Sequence, residues 1–251
     1  MHLAWENPKY LFYVKTEIVN HGPGCAGTHM KEMREIIATT ARAHSKHEEG
    51  GKFASYTGIF GNTNSVHQFA PISSMEDRAL LRAIDDPGSQ KTISEALGDD
   101  KARSHFNSNF NFNVAESTSL LVLEPNLSNS SGNTGNLPKP FLAHIVIRVA
   151  PGTFTLVAEA MERVASAHKE HESGALYATY RTVVGNINEI HHFSEIDSLE
   201  EMETAFVDPG SRKLSSAIHG RDNSCHSEAI RGSIRDEYVE ILKLHRDLSY
   251  L

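Results

Sequence analysis

The sequence predicts an α+β protein built from two tandem β-α-β-β-α-β repeats, and three observations carry that prediction. Residues 43–69 (AHSKHEEGGKFASYTGIFGNTNSVHQF) recur without a gap as residues 167–193 (AHKEHESGALYATYRTVVGNINEIHHF), so that His44 returns as His168 and His67 as His191. The same order of strand-like and helix-like stretches flanks both copies. A chain of 251 residues also divides into two halves of ordinary domain size, each able to bury a core.

Each element has its own signal. Residues 10–20 (YLFYVKTEIVN) and 141–150 (FLAHIVIRVA) are rich in aromatic and β-branched residues, stop at His21-Gly22-Pro23-Gly24 or Pro151-Gly152, and so read as strands. Met30, Met33, Ile37, Ala41 and His44 then fall at helical spacing, as do Phe154, Val157, Met161, Val164 and His168. Gly50 and Gly174 stand where a left-handed residue would end each helix, and His47 and His171 suit the negative end of its dipole.

Two hairpins come next, 53–60 with 65–70 across Gly61-Asn62-Thr63-Asn64, and 176–184 with 189–194 across Gly185-Asn186-Ile187-Asn188. Second helices are expected to start near Ser73-Ser74-Met75-Glu76 and Asp197-Ser198-Leu199-Glu200, and to end at the two Asp-Pro-Gly-Ser turns, 86–89 and 208–211. Irregular stretches at 105–113 and 219–228 are where the copies diverge most, as loops that individualise a site do. Strands at 119–123 and 240–244 close the halves.

The organisation expected is a first half at 1–124, a Ser/Asn/Gly linker at 125–140 and a second half at 141–251. Two ferredoxin-like repeats of this order each leave one sheet face bare of helices, and the expected solution is that the halves cover one another in an intramolecular barrel.

Composition narrows the function. With 39% hydrophobic and 22% charged residues the chain is ordinary globular protein. No apolar run long enough to span a bilayer and no secretory signal pattern appear, which predicts a cytoplasmic protein without a membrane partner. A net charge of −8 without a basic stripe argues against nucleic acid, leaving a small-molecule ligand, and self-association into a homo-oligomer stays open. Cys25 and Cys225 are too few for a disulfide framework, and no P-loop, GxGxxG, GxSxG or paired CxxC motif is present.

The second hairpin with the segment after it, Gly185-Asn186-Ile187-Asn188-Glu189-Ile190-His191-His192-Phe193 then Asp197-Ser198-Leu199-Glu200-Glu201, resembles the NIPSNAP branch of the dimeric α/β-barrel superfamily. In the first half Ser65-Val66-His67-Gln68-Phe69 is a weaker copy. The element order is also similar to the antibiotic-biosynthesis-monooxygenase and stress-responsive barrel branches. That resemblance implies a fused intramolecular dimeric α/β barrel, in a superfamily that holds cofactor-independent oxygenases, isomerases, cyclases, haem enzymes and proteins without assigned catalysis. It transfers no catalytic residue set, because the branches use different residues.

Candidate groups therefore come from the chain itself. His44 and His168 end the apolar stripes of their helices, and His67 and His191 sit mid-strand at matched positions. If the strand histidines face the helices, the two sets would meet and depress one another's pKa, giving neutral bases or metal ligands near neutral pH; alternatively all four only satisfy core neighbours. Tyr56 and Tyr180 recur, with Arg181 added in the second copy; such a Tyr–Arg pair suits an enolate, phenolate or carboxylate, and such a Tyr equally suits sheet core.

The HxxH pairs 44/47 and 168/171, with Glu48 or Glu172, make a zinc, iron or nickel set conceivable, as does the weaker His219, Cys225, His226 group. The cofactor is thus unknown: none, or haem or a transition metal. His191, His168, His67, His44, Tyr180 and Arg181 form the candidate site of an oxygenase-like or isomerase-like enzyme, with a haem- or metal-binding protein and a non-enzymatic structural or stress-responsive protein as alternatives. The residues found only in the second copy, Arg181, Glu189 and His192, point to the second half as the working one.

Overall fold

A computed structural model describes residues 8–18, 26–47, 52–72, 94–95, 98, 114–129, 138–170, 176–201, 230 and 232–251. They form strands β1 (Tyr10–Ile18), β2 (Ala54–Phe60), β3 (Ser65–Ile72), β4 (Val114–Leu123), β5 (Phe141–Val149), β6 (Ala178–Val184), β7 (Glu189–Ile196) and β8 (Ile234–Leu244), and helices α1 (Ala26–His47) and α2 (Phe154–Glu170). Among the described residues, no helix is long and apolar enough to cross a membrane. The chain clusters into two units. One takes Pro8–Leu120 with Lys243–Leu251, and the other takes Leu121–Leu242.

In the N-terminal unit the strand order is β4-β1-β3-β2, and both β1 and β2 run antiparallel to β3. Alternation decides the two faces. Thr16 lies opposite Val66, and Val66 and Ile18 pack with Met33 and with Met30 and Ile37 of α1, so this is the helix-bearing face. Tyr13, Phe69, Tyr56 and His67 therefore share the other face, through the pairs Tyr13–Phe69 and Tyr56–His67.

The C-terminal unit repeats the plan in the order β8-β5-β7-β6. Ile147, Val149, Ile190 and Val157 of α2 form its helix-side core, with Phe154 and Met161 packed against it. Leu142, His144 and Val146 share the opposite face with Glu195, Phe193 and His191, and Tyr180 sits across from His191.

The hairpin turns obey their chemistry: Gly61 (φ 83°) and Gly185 (φ 107°) are left-handed, where a side chain would be strained. The closing strands are longer than the apolar runs predicted. β4 begins at Val114 rather than 119, and β8 at Ile234 rather than 240, because their first halves are solvent-facing and carry no apolar alternation. The segment expected as a linker opens with a 3-10 turn, Pro125–Leu127, and Asn129 bridges to Tyr177.

A matching turn at Arg246–Leu248 comes after β8. In both places a serine fastens turn to sheet: Ser128 Oγ donates to the Glu124 carbonyl and accepts from the Thr179 N–H, while Ser249 Oγ donates to the His245 carbonyl and accepts from the Ser55 N–H. The second-helix starts near 73, the turns at 86–89 and 208–211, the irregular stretches 105–113 and 219–228, both cysteines, Gly50, Gly174 and most of the linker lie outside the described residues.

Candidate functional site

The helix and strand histidines do not meet. His67 and His191 lie on the sheet face away from α1 and α2, the reverse of the arrangement in which each would approach the helix histidine before it. His44 is buried on α1 and stacks on Tyr250, with Phe53 edge-on. His168 on α2 meets Tyr177 edge-on. The side chains of His47 and His171 lie outside the described residues, so the HxxH pairs carry no geometry. The 219/225/226 group lies outside them as well.

In the N-terminal unit, the hydrogen bonds of His67 fix its tautomer. Ser65 Oγ donates to the Asn62 carbonyl, so at 2.8 Å it must accept the proton of His67 Nε2. The remaining Nδ1 then accepts from the Tyr13 hydroxyl at 2.9 Å. Both ring nitrogens of His67 are thus engaged by hydroxyl groups.

The C-terminal unit carries titratable groups at the same places. Where β1 offers Tyr13 opposite Phe69, β5 offers His144 opposite Phe193. His144 Nε2 lies 3.0 Å from His191 Nδ1, and His144 Nδ1 lies 3.6 Å from Glu240 Oε2. On its other side His191 Nε2 meets Thr182 Oγ1 at 3.1 Å and Glu189 Oε2 at 3.8 Å. Glu189 Oε1 in turn accepts from Arg148 Nε at 2.7 Å, and Arg148 reaches Asp236 at 3.4 Å.

A chain of acid–base groups thus runs from Glu240, 2% exposed, through two stacked imidazoles to the partly exposed guanidinium of Arg148. Burial, then the neighbouring His144, hold the His191 pKa well below the ordinary histidine value, so the ring is neutral near pH 7. The depression of one imidazole by another that was expected for a helix–strand pair is therefore felt by His191 from a second strand histidine, and His144 is the partner that the repeat could not nominate, since the first copy has Tyr13 there.

Tyr180 is buried beside this chain, and its phenol is raised by desolvation. Arg181 is not its partner. Alternation turns Arg181 to the helix side, where its Nε donates to Glu124 at 2.8 Å and its guanidinium covers the Phe154 ring. His192, on that same side, donates from Nδ1 to Thr179, whose hydroxyl is spent on the Leu127 carbonyl; burial lowers its pKa to about 4. Glu195 shares the Tyr180 and His191 face, and desolvation raises its carboxyl to about 7.

His144, Glu240, Thr182 and Glu195 are thus candidate groups that sequence reasoning missed, whereas Glu189 was singled out only as a residue found in the second copy alone. A signal existed: His144 interrupts the apolar run FLAHIVIRV, and Glu240 opens the buried run EIL, at places where a polar residue has to find a partner.

No family model and no curated protein matches this sequence. Among solved structures, an anthrone oxidase-like protein superposes with a TM-score of 0.53 at 13% identity, over 96% of this chain and 93% of its own. A provisionally assigned monooxygenase from Fusobacterium nucleatum subsp. nucleatum gives 0.51 at 10% identity, over 94% and 93%. This chain has the dimeric α/β-barrel fold. A chlorite dismutase variant from Candidatus Nitrospira defluvii is also similar, with a TM-score of 0.48 at 12% identity over 95% and 92%. At these identities the likeness is one of fold, and the chemistry is left to the side chains described above.

Proposed function

We propose that this dimeric α/β-barrel protein is a small-molecule enzyme, oxygenase-like or isomerase-like, whose acid–base chemistry resides on the helix-free face of the C-terminal unit. The observation that carries the reading is the buried Glu240–His144–His191 chain. Buried titratable groups in contact cost stability, and strongly perturbed ones cluster at functional sites; on this face His144 and Glu189 stand where the first copy has the hydroxyls of Tyr13 and Ser65.

In that reading a bound phenol or enolisable carbonyl gives a proton to Glu195, whose raised pKa suits a base at neutral pH. Tyr180 donates a hydrogen bond to the resulting oxyanion, as its raised pKa keeps it protonated. His191, neutral, donates from one ring nitrogen and accepts at the other, and so holds the chain in a single orientation. The likeness to an anthrone oxidase-like protein and a provisionally assigned monooxygenase supports an aromatic substrate and oxygen as its oxidant.

The reading includes a duplicated ferredoxin-like ancestor close to the NIPSNAP branch, with halves at 1–124 and 141–251 joined through 125–140. The matching strand orders of the two units and the twin serine-fastened turns support it.

The test is oxygen uptake and product analysis with a panel of phenols and hydroxyanthrones, on protein first checked for a Soret band and for bound metal. Turnover by colourless, metal-free protein that falls at least about a hundredfold in Glu195→Gln, with one ligand bound per chain, is the expected result. Equal turnover in Glu195→Gln and His191→Asn would overturn the site. A stoichiometric haem or metal would instead favour the haem- or metal-binding alternative.

A further inference from the structure

The N-terminal unit holds a second place where charge and space come together, unrelated to the acid–base chain. Between α1 and the turn after β8 lies a cavity of about 530 Å³, within the range of small-molecule sites. Lys31, Arg34 and Arg42 of α1 line one wall, and Thr57, Asp247 and Leu248 line the other.

The polar end of this cavity is set by His245. Arg34 Nη2 donates to His245 Nδ1 at 3.0 Å, so that nitrogen carries the lone pair and the proton sits on Nε2. Nε2 then donates to Thr57 Oγ1 at 2.7 Å, which leaves the Thr57 hydroxyl hydrogen to be given to another acceptor. Burial and the adjacent Arg34 charge lower the His245 pKa, so the ring stays neutral and this order of donors holds near pH 7.

Arg34 is thereby bound through an uncharged imidazole, a contact that orients the guanidinium without cancelling its charge. Lys31 is balanced by Glu35 at 3.9 Å, and Glu35, like Asp247, also lines the cavity, so the cations left to meet an anion are Arg34 and Arg42. Arg42, exposed and two turns further along the helix, is steadied by the Thr39 hydroxyl at 3.0 Å.

We infer that this cavity binds a small organic oxyanion, a carboxylate or phosphate monoester, whose charged end is gripped by Arg34 and the Thr57 hydroxyl within reach of Arg42. A guanidinium held by a neutral group and a hydroxyl aimed by a histidine form a donor pair matched to a planar or tetrahedral oxyanion. Leu248 supplies the apolar wall for the remainder of the ligand.

The experiment is calorimetric titration of the full chain with benzoate and with phenyl phosphate. Saturable binding of either at one site per chain is expected, and the tighter of the two tells carboxylate from phosphate. Arg34→Gln and Arg42→Gln should each weaken that probe about tenfold, and Thr57→Val about threefold, the usual cost of losing a charged or neutral hydrogen bond. Absence of saturable binding for both probes at millimolar concentration overturns the inference. So does unchanged affinity in Arg42→Gln and Thr57→Val, a comparison that stands even where Arg34→Gln does not fold.

Discussion

His144 Nε2 and His191 Nδ1 share one proton across 3.0 Å, between rings stacked 5.3 Å apart and inclined by 15°. One nitrogen must donate and the other accept, so the pair is satisfied when both rings are neutral, and a second added charge would place two cations in contact. The acid side of the stability curve is a consequence. His191, His192 and His245 all have folded pKa values below the unfolded value, so their contribution is complete above about pH 6.5 and is lost as pH falls toward the folded values. For His192 alone, with a folded pKa of about 4, the loss by pH 5 is on the order of 2 kcal/mol. Urea unfolding at pH 7.5 and pH 5 measures it, and His192→Asn should flatten the difference.

Glu195 acts with the opposite sign. Its folded pKa of about 7 exceeds the unfolded value, so its contribution is complete below about pH 4.5 and is lost as pH rises through 7. Glu195→Gln should therefore gain on the order of 2 kcal/mol over the native chain at pH 8 and nothing at pH 4.5. An unaltered pH 8 midpoint would mean that the carboxylate ionises as easily in the fold as outside it.

The hairpins differ in tolerance. A Cβ at Gly58 would collide with the Asn62 carbonyl oxygen across its own turn, whereas the matching residue of the second copy is Thr182, whose hydroxyl serves His191. Gly58→Ala should cost about 2 kcal/mol or more through forced backbone movement. Thr182→Ala should cost about 1 kcal/mol through the lost hydrogen bond. Thermal unfolding of the two variants side by side gives the order.

Arg181 and Glu124 belong to the helix side of the sheet, both partly exposed. Their ion pair at 2.8 Å should show a coupling of about 0.5 to 1 kcal/mol in a double-mutant cycle. Ligand affinity at the Tyr180 face should be the same in Arg181→Gln as in the native chain. A loss there would restore Arg181 as a site residue.

Periodicity and the repeat made much of each unit legible: the two amphipathic helices, the hairpins with their glycine turns, and the strands whose apolar residues alternate. The first halves of β4 and β8 escaped because a solvent-facing strand has no apolar pattern to read, and Val114 to Thr118 are all exposed. The repeat singled out His191 and Tyr180 and misassigned their partners. It weights what the copies share, while the acid–base chain arises where they differ, with His144 for Tyr13 and Glu189 for Ser65. Arg181 was misread for a simpler reason, since adjacent residues on a strand point to opposite faces.

The turn after β8 joins its unit late in synthesis. Tyr250 bridges to Phe53, Ser249 fastens to Ser55, and His245 orders Thr57, so strand β2, among the earlier segments to leave the ribosome, awaits residues made long after it. Vectorial folding, in which an amino-terminal body sets before the rest emerges, is thus denied its usual head start here. A nascent chain paused before residue 243 would keep that body exposed to chaperones and proteases, and its protection would date from the codons for residues 243–251.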